Sequence, residues 1–405
     1  MTYPKSKAAS TERVYLDHAA ATPVHEAVRE AMQPYLHEEF GNPGALHQEG
    51  RAARAAVDTA RTVVATELGI KPAGVVFTSG GTESNNLAII GYLRTLHAAG
   101  RAYSDMTVLT TPLEHPATTA TLAAVQAWGV AVREVPVDEY GRVHPATLAE
   151  HIDATTVLVT VALINSEIGV LQSTQKLARI LRKQDVTKTP IKLHVDAAQA
   201  PLWHTCRLDQ LGADLLSLDA GKCGGPKGAG VLALARSQLV QAGVLYGGGQ
   251  ESGLRPGTEA GAQIVGTAEA LQQAAVGRAE RVTAVTEVRD ALLTYIEAML
   301  PEAVINGPIG DGRVANNINL SLPGYDTEFA ATVLDQAGFA VSTKSACSSS
   351  DSSASAVVLA CTDDGARARS TIRITLGPET SVTDGRRCID VLADHVTTMR
   401  PYRHL

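Results

Sequence analysis

The chain has 405 residues, enough for two domains with sizeable cores. Its formal net charge of −7 offers no polyanion-binding surface, which sets nucleic acid aside as a partner. The longest strongly apolar run, VLVTVALI at Val157–Ile164, falls far short of the about 20 residues that a membrane helix needs.

The opening MTYPKSKAASTER has basic residues but no apolar stretch of the secretory type, so residues 1–14 read as a tail and the chain as cytoplasmic. VVFTS (Val75–Ser79) is the first strong strand candidate, followed by the helical SNNLAIIGYLRTLHAAG. TVLTT (Thr107–Thr111), TTVLVTVALI (Thr155–Ile164), IKLHVDA (Ile191–Ala197) and ADLLSL (Ala213–Leu218) repeat the alternation. Near-continuous apolar strands between helices predict an α/β fold with both faces of a mostly parallel central sheet covered. GVLAL at Gly230–Leu234 follows so soon that it is expected to return antiparallel. After Thr258 a long Ala-, Glu- and Arg-rich helical stretch leads into NNINLSL, a helix near TEFAATVLDQAG, and STIRITL. The expected division is a large domain over 15–260 and a smaller α+β domain over 261–405, with the Ser-rich SACSSSDSSASA (Ser345–Ala356) as a surface loop in the second. Cys206, Cys223, Cys347, Cys361 and Cys388 are irregularly spaced and form no CxxC. That pattern predicts free thiols in a reducing compartment and no metal site.

Ligands of open α/β sheets collect at the carboxyl ends of the strands. After VVFTS comes GGTESNN, small residues entering a helix whose free N–H groups suit an anion. After TVLTT comes PLEHPA with His115, after IKLHV come Asp196 and Gln199, and after ADLLSL comes Lys222 within SLDAGKCGGPKG. Singly, each has a plain structural reading: a glycine turn, a core histidine, a local cap, a turn lysine. Together, an anion cradle, a histidine, an aspartate and a lysine at successive strand ends match the needs of pyridoxal 5′-phosphate. That cofactor takes a phosphate site, a carboxylate for its ring nitrogen and a lysine for its Schiff base.

YLDHAAATP, FGNPGALH, VFTSGGTESNNLAI, EHPA, NSEIGV, HVDAAQ, GKCGGPKGAGVL, GGGQESGLRPGTE, KSACSSS and STIRITLG run in that order from Tyr15 to Gly377. With them the chain resembles the cysteine desulfurases, in the class V group of fold-type-I pyridoxal phosphate enzymes. The resemblance implies that Gly81 and Thr82 contact the phosphate, that His115 stacks on the ring and assists proton transfer, and that Asp196 pairs with the ring nitrogen. It further implies that Gln199 reaches the ring oxygen, Ser166 lies at the ring hydroxyl, Asn165 belongs with the substrate, and Lys222 bonds to the cofactor. Thr258 is implied to reach the phosphate of the other subunit in a homodimer. Arg373 is implied to bind the substrate carboxylate, a bidentate task that suits a guanidinium. Cys347 is implied as the nucleophile that takes sulfur from L-cysteine, leaving L-alanine, for delivery to an acceptor such as an iron–sulfur scaffold. Two other readings stand beside this one. A selenocysteine lyase or aminotransferase-like relative is the first, and transamination has no use for a thiol such as Cys347. A non-catalytic paralogue serving as a binding subunit is the second.

Three places depart from that pattern. The relatives have Ser-Gly-His before the lysine, where this chain has Asp219-Ala220-Gly221. The hydroxyl and the imidazole that hold phosphate are gone, and two like charges at 4 Å with an effective dielectric of about 20 repel by about 4 kcal/mol. Either Asp219 points away from the phosphate or the cofactor is held unusually. Ser166 stands where a second asparagine is common. The chain ends soon after its last helix, so a C-terminal docking tail for a scaffold is expected to be short. Cys223 has no implied role and reads as a packing residue.

Overall fold

The computed structural model describes residues 13–184, 189–343 and 354–403. The strands, in chain order, are β1 (Val14–Tyr15), β2 (Val75–Thr78), β3 (Thr107–Thr110), β4 (Ala131–Glu134), β5 (Thr156–Ala162) and β6 (Lys192–Asp196). They continue with β7 (Leu215–Asp219), β8 (Gly230–Leu234), β9 (Val304–Ile305), β10 (Asn317–Ser321), β11 (Phe339–Ala340) and β12 (Thr371–Thr375). The chain divides into two compact units. One comprises Ala19–Arg281 with Gly307–Val314; the other holds the residues up to His18, Val282–Asn306 and the chain from Ala315 onward.

In the larger unit, runs of Val, Leu and Thr form strands because branched side chains fit a pleat that is buried on both faces. They build a seven-stranded sheet in the order β2-β8-β7-β6-β5-β3-β4. β8 is antiparallel to both β2 and β7, and every other pairing is parallel, so β8 alone runs against the rest. The expected α/β fold and the returning strand at Gly230–Leu234 are both present. The helix Gly81–Ala98 packs on β7 and β8 and on the helix Pro116–Gln126. Leu87, Ile89, Leu93, Val108, Leu158 and Leu232 lie in one buried cluster between them. No helix of the described residues is long and apolar enough to cross a membrane.

The long helical stretch after Thr258 is two helices, Gly261–Ala275 and Arg278–Met299. Gly277 between them has φ +59°, a left-handed conformation that glycine adopts without steric cost. The first helix packs against Gln48–Leu68 within the larger unit. In the smaller unit, β10 pairs antiparallel with β12 and β9, and β1 pairs parallel with β11.

Candidate active site

Because β2, β3, β5, β6 and β7 share one direction, their carboxyl ends lie along one edge of the sheet. That edge gathers most of the residues singled out in the sequence. Asp196 closes β6 and is buried; its Oδ2 accepts from Asn85 Nδ2 at 2.7 Å and its Oδ1 from the Ala198 N–H at 3.0 Å. These two donors fix a carboxylate in a nearly dry place, where it can hold a protonated ring nitrogen. Asn85 lies on the helix after β2, within ESNN, and no local pattern marks it as the partner of a residue 111 positions away.

Lys222 ends the short 3₁₀ turn after β7. Its ammonium donates to the carbonyls of Ala19, at 3.2 Å, and Ala20. Gln199 Nε2 donates to the same Ala19 carbonyl at 2.9 Å. Thr22 completes the stitching: its Oγ1 donates to the Gly221 carbonyl at 3.0 Å and accepts from the Gly224 N–H at 2.8 Å. HAAATP is therefore the segment that positions the lysine turn, a role hidden in the sequence by some 200 intervening residues.

His115 caps the helix Pro116–Gln126, its Nδ1 accepting the Ala117 N–H at 3.1 Å. The neutral ring thus carries its proton on Nε2, the tautomer this cap dictates. Burial lowers the His115 pKa; Asp196 opposes this, Lys222 reinforces it and Asp219 opposes it, so the ring stays neutral at pH 7. A base at Nδ1 would have to release the helix cap first.

Glu114, beside it, opens the EHPA motif but is given no role by it. Its carboxyl is buried, with Oε1 accepting from Thr111 Oγ1 at 2.7 Å and the Ala162 N–H at 3.2 Å while Oε2 has no partner. Burial pushes its pKa up to about 8; the bonds from Thr111 and Ala162 pull it down, and Asp196 adds to the rise. The folded state therefore binds a proton that the unfolded chain loses near pH 4.5. Stability should fall as pH rises through the window from about 4.5 to about 8, by on the order of 5 kcal/mol in all. Glu114→Gln keeps both bonds to the carbonyl-type oxygen and removes the titration. Its apoprotein should therefore gain in thermal midpoint over wild type on going from pH 6 to pH 8.5; parallel pH profiles for the two would refute the assignment.

Asn165 is buried and occupied with its own turn. Its Oδ1 accepts from the Glu167 and Ile168 N–H groups, both at 2.9 Å, and its Nδ2 donates to the Leu113 carbonyl at 2.9 Å. Ser166 follows it, half-buried. Gly81 opens the helix Gly81–Ala98 and Thr82 beside it is exposed. Thr258 is also exposed and lines a surface cavity of about 340 Å³ with Leu36 and Phe40.

Asp219 turns toward the opening of the helix Gly81–Ala98, the place at which the resemblance implies the phosphate. Its Oδ2 accepts from the Gly81 N–H at 3.3 Å and its Oδ1 from the Gly221 N–H at 2.9 Å. Thr78 and Asp219 both pair with Gly230 of β8, from opposite sides. A Cβ on Gly230 would lie 2.6 Å from Gly80, so only glycine there lets the Gly80–Gly81 turn close over the strand toward Asp219.

In the smaller unit Arg373 is buried on β12, and Asp17 Oδ1 accepts from its Nη2 at 2.8 Å. Cys347 lies outside the described residues. Cys206, Cys223 and Cys388 are buried; burial raises each thiol pKa, to about 12 for Cys206 and Cys388 and still higher for Cys223. Cys223 is a packing residue, as expected.

A seven-stranded sheet whose strand ends carry Lys222, Asp196 and His115 defines an α/β enzyme of pyridoxal phosphate fold type I. The aminotransferase class-V family model matches residues 14–384, and the chain belongs to that family, whose members depend on pyridoxal phosphate. The chain is 36% identical over 393 residues to the cysteine desulfurase IscS of Dictyoglomus turgidum, covering 96% of this chain and 97% of that protein. Among solved structures, a NifS-like protein superposes with a TM-score of 0.87 at 30% identity, over 95% of this chain and 100% of that one. A structure described as SspA in complex with cysteine gives a TM-score of 0.74 at 30% identity, over 90% and 99%.

The donor set fits the cofactor's ring: a buried aspartate for the nitrogen, an imidazole beside it, and a lysine on small-residue backbone. Where the resemblance implies the phosphate, the Gly81 N–H is available at the start of a helix, with the Asp219 carboxylate already on it.

Proposed function

We propose that this chain is a pyridoxal phosphate-dependent cysteine desulfurase converting L-cysteine to L-alanine, with sulfur passed to Cys347. The observation that carries the reading is the convergence of Lys222, Asp196 and His115 on one sheet edge, in a chain alignable nearly end to end with cysteine desulfurases. The cofactor, when bound, supplies a sink for the electrons left on the substrate's α-carbon. Asp196 keeps a proton on the ring nitrogen, and Asn85 keeps Asp196 in place. Lys222 would hold the cofactor through its amine and move protons on the substrate, on a turn of small residues that leaves room around it. Neutral His115, tied down at Nδ1, packs on the ring and offers Nε2–H as a donor. Arg373, oriented by Asp17, binds the substrate carboxylate. The Cys347 thiolate attacks the substrate sulfur; the new S–S bond forms as the C–S bond breaks, and protonation yields alanine. Purified holoprotein given L-cysteine and a thiol reductant should release alanine and sulfide in equal amounts. Release of neither, or of keto acid in place of alanine, would overturn the reading.

The chain acts as a cytoplasmic homodimer that hands sulfur to an acceptor protein, such as an iron–sulfur scaffold. Leu36, Phe40 and Leu46 support the dimer: they are 67%, 75% and 90% exposed, and Leu36 and Phe40 share a cavity with Thr258. Large apolar side chains grouped at a surface mark an interface more often than free surface. Phe40→Asp should halve the mass seen by sedimentation and loosen cofactor binding, because Thr258 then has no partner to reach. A variant that stays dimeric places the interface elsewhere.

A further inference from the structure

The Asp219 carboxylate is wedged into the mouth of the helix Gly81–Ala98. Besides accepting from the Gly81 and Gly221 N–H groups, it lies 3.5 Å from where a Cβ on Gly80 would stand. The same turn holds a second carboxylate: Glu83 Oε2 accepts the Ser79 N–H at 2.6 Å, and its Oε1 pairs with Arg255 at 3.3 Å. At this helix mouth the Gly81 N–H, and just before it the Ser79 N–H, therefore already meet internal anions. The two departures from the family's lysine turn are also one device. A Cβ at position 221 would lie 3.2 Å from Asp219 Oδ1, so Gly221 makes the room into which the carboxylate folds. A histidine there would crowd it.

Resting on the cofactor reading above, we propose that Asp219 is a built-in anion occupying the cofactor's phosphate subsite, so that this chain discriminates only weakly between pyridoxal 5′-phosphate and unphosphorylated pyridoxal. A dianionic phosphate gains the N–H groups only by displacing the carboxylate or by lying against it. Pyridoxal, which has no charge at that end, leaves the carboxylate in place and still reaches Asp196, His115 and Lys222. Asp219 thus sets which form of the cofactor is favoured and how readily the phosphorylated form is lost.

Equilibrium titration of the apoprotein with each compound, followed by absorbance and by dialysis, tests this without reference to turnover. Asp219→Asn removes the charge while keeping a side-chain oxygen for one of the two N–H groups. It should tighten pyridoxal phosphate binding by about a hundred- to a thousandfold, as expected for removing one like charge at about 4 Å. Pyridoxal binding should change by no more than about twofold, since that end of the ligand carries no charge for Asp219 to repel. The double variant Asp219→Ser, Gly221→His should match or exceed that gain and slow the loss of pyridoxal phosphate on dialysis. Unchanged or weaker pyridoxal phosphate binding by Asp219→Asn overturns the proposal, as does an equal shift for both compounds. Binding of neither compound by wild type or variants overturns the cofactor reading itself.

Discussion

Lys222→Ala is expected to abolish turnover of L-cysteine, by about a thousandfold or more, while leaving the fold intact. Two functions meet on this one amine. In the role proposed above it would bond to the cofactor and, once freed, move protons on the substrate, a contribution that alone accounts for about 10²–10⁴ in rate. The fold should survive because the ammonium's partners are the carbonyls of Ala19 and Ala20, while Thr22 goes on holding the same turn through Gly221 and Gly224. Borohydride reduction of wild-type holoprotein should attach cofactor to Lys222 and leave the neighbouring Lys227, whose ammonium is engaged with the Thr22 carbonyl, unlabelled. Lys222→Ala should lose that label together with the visible absorbance of attached cofactor. Label on Lys227 in the wild type, or turnover in the variant within tenfold of normal, would displace Lys222 from the reaction.

Cys347→Ser is the second large effect. The variant should still give a spectral change on adding L-cysteine, because ring and lysine are untouched, yet release of sulfide should fall by about a hundredfold or more. A serine hydroxyl cannot replace a thiolate as the attacking group at neutral pH. Cys223 is the natural suspect for a substitute, being the neighbour of Lys222, and its surroundings rule it out. Its thiol is buried, its pKa is raised first by burial and then by Cys206 and Asp219, and its Sγ lies 3.5 Å from the Ala220 carbonyl. Cys223→Ser should therefore keep sulfide release within about twofold of wild type, the range of a substitution away from the reacting groups. An unchanged rate in Cys347→Ser would refute the assignment of the nucleophile.

Legibility in the sequence follows burial. β2, β5, β7 and β8 are mostly apolar runs because neighbours cover both their faces, and each is readable from its residues alone, whereas β6 is as buried but carries only Leu193 and Val195 as apolar residues. β4, with the sequence AVRE, gives no such signal: it is the edge strand, exposed at both ends, and has no need of an apolar run. Lys222, Asp196 and His115 can be read at strand ends because each follows closely on its strand. Their supports cannot. Asn85 meets Asp196, and the Ala19 and Ala20 carbonyls meet Lys222, only through the sheet order and the path of the chain across it. The aim of Asp219 is open in the sequence for the same reason, since it depends on a glycine in a third strand lying between Asp219 and Gly80.

The pairing of Ser342 with Arg373 has a consequence for sulfur delivery. Ser342 N–H donates to the Arg373 carbonyl at 3.1 Å, and Arg373 N–H donates to the Ser342 carbonyl at 2.7 Å, so this point of the chain is pinned to β12. On the far side Ser355 is pinned too, its N–H donating to the Ala368 carbonyl at 2.8 Å and its side chain capping the helix that begins at Ala356. Cys347 stands five residues beyond the first pin. Covalent geometry alone therefore leashes its sulfur to within about 17 Å of the Ser342 backbone, give or take a side chain's length. In its proposed role as sulfur carrier, Cys347 on so short a leash cannot take its cargo away from the enzyme. Any acceptor has to bring its own receiving thiol or cluster site inside that radius, close to the strand that carries Arg373.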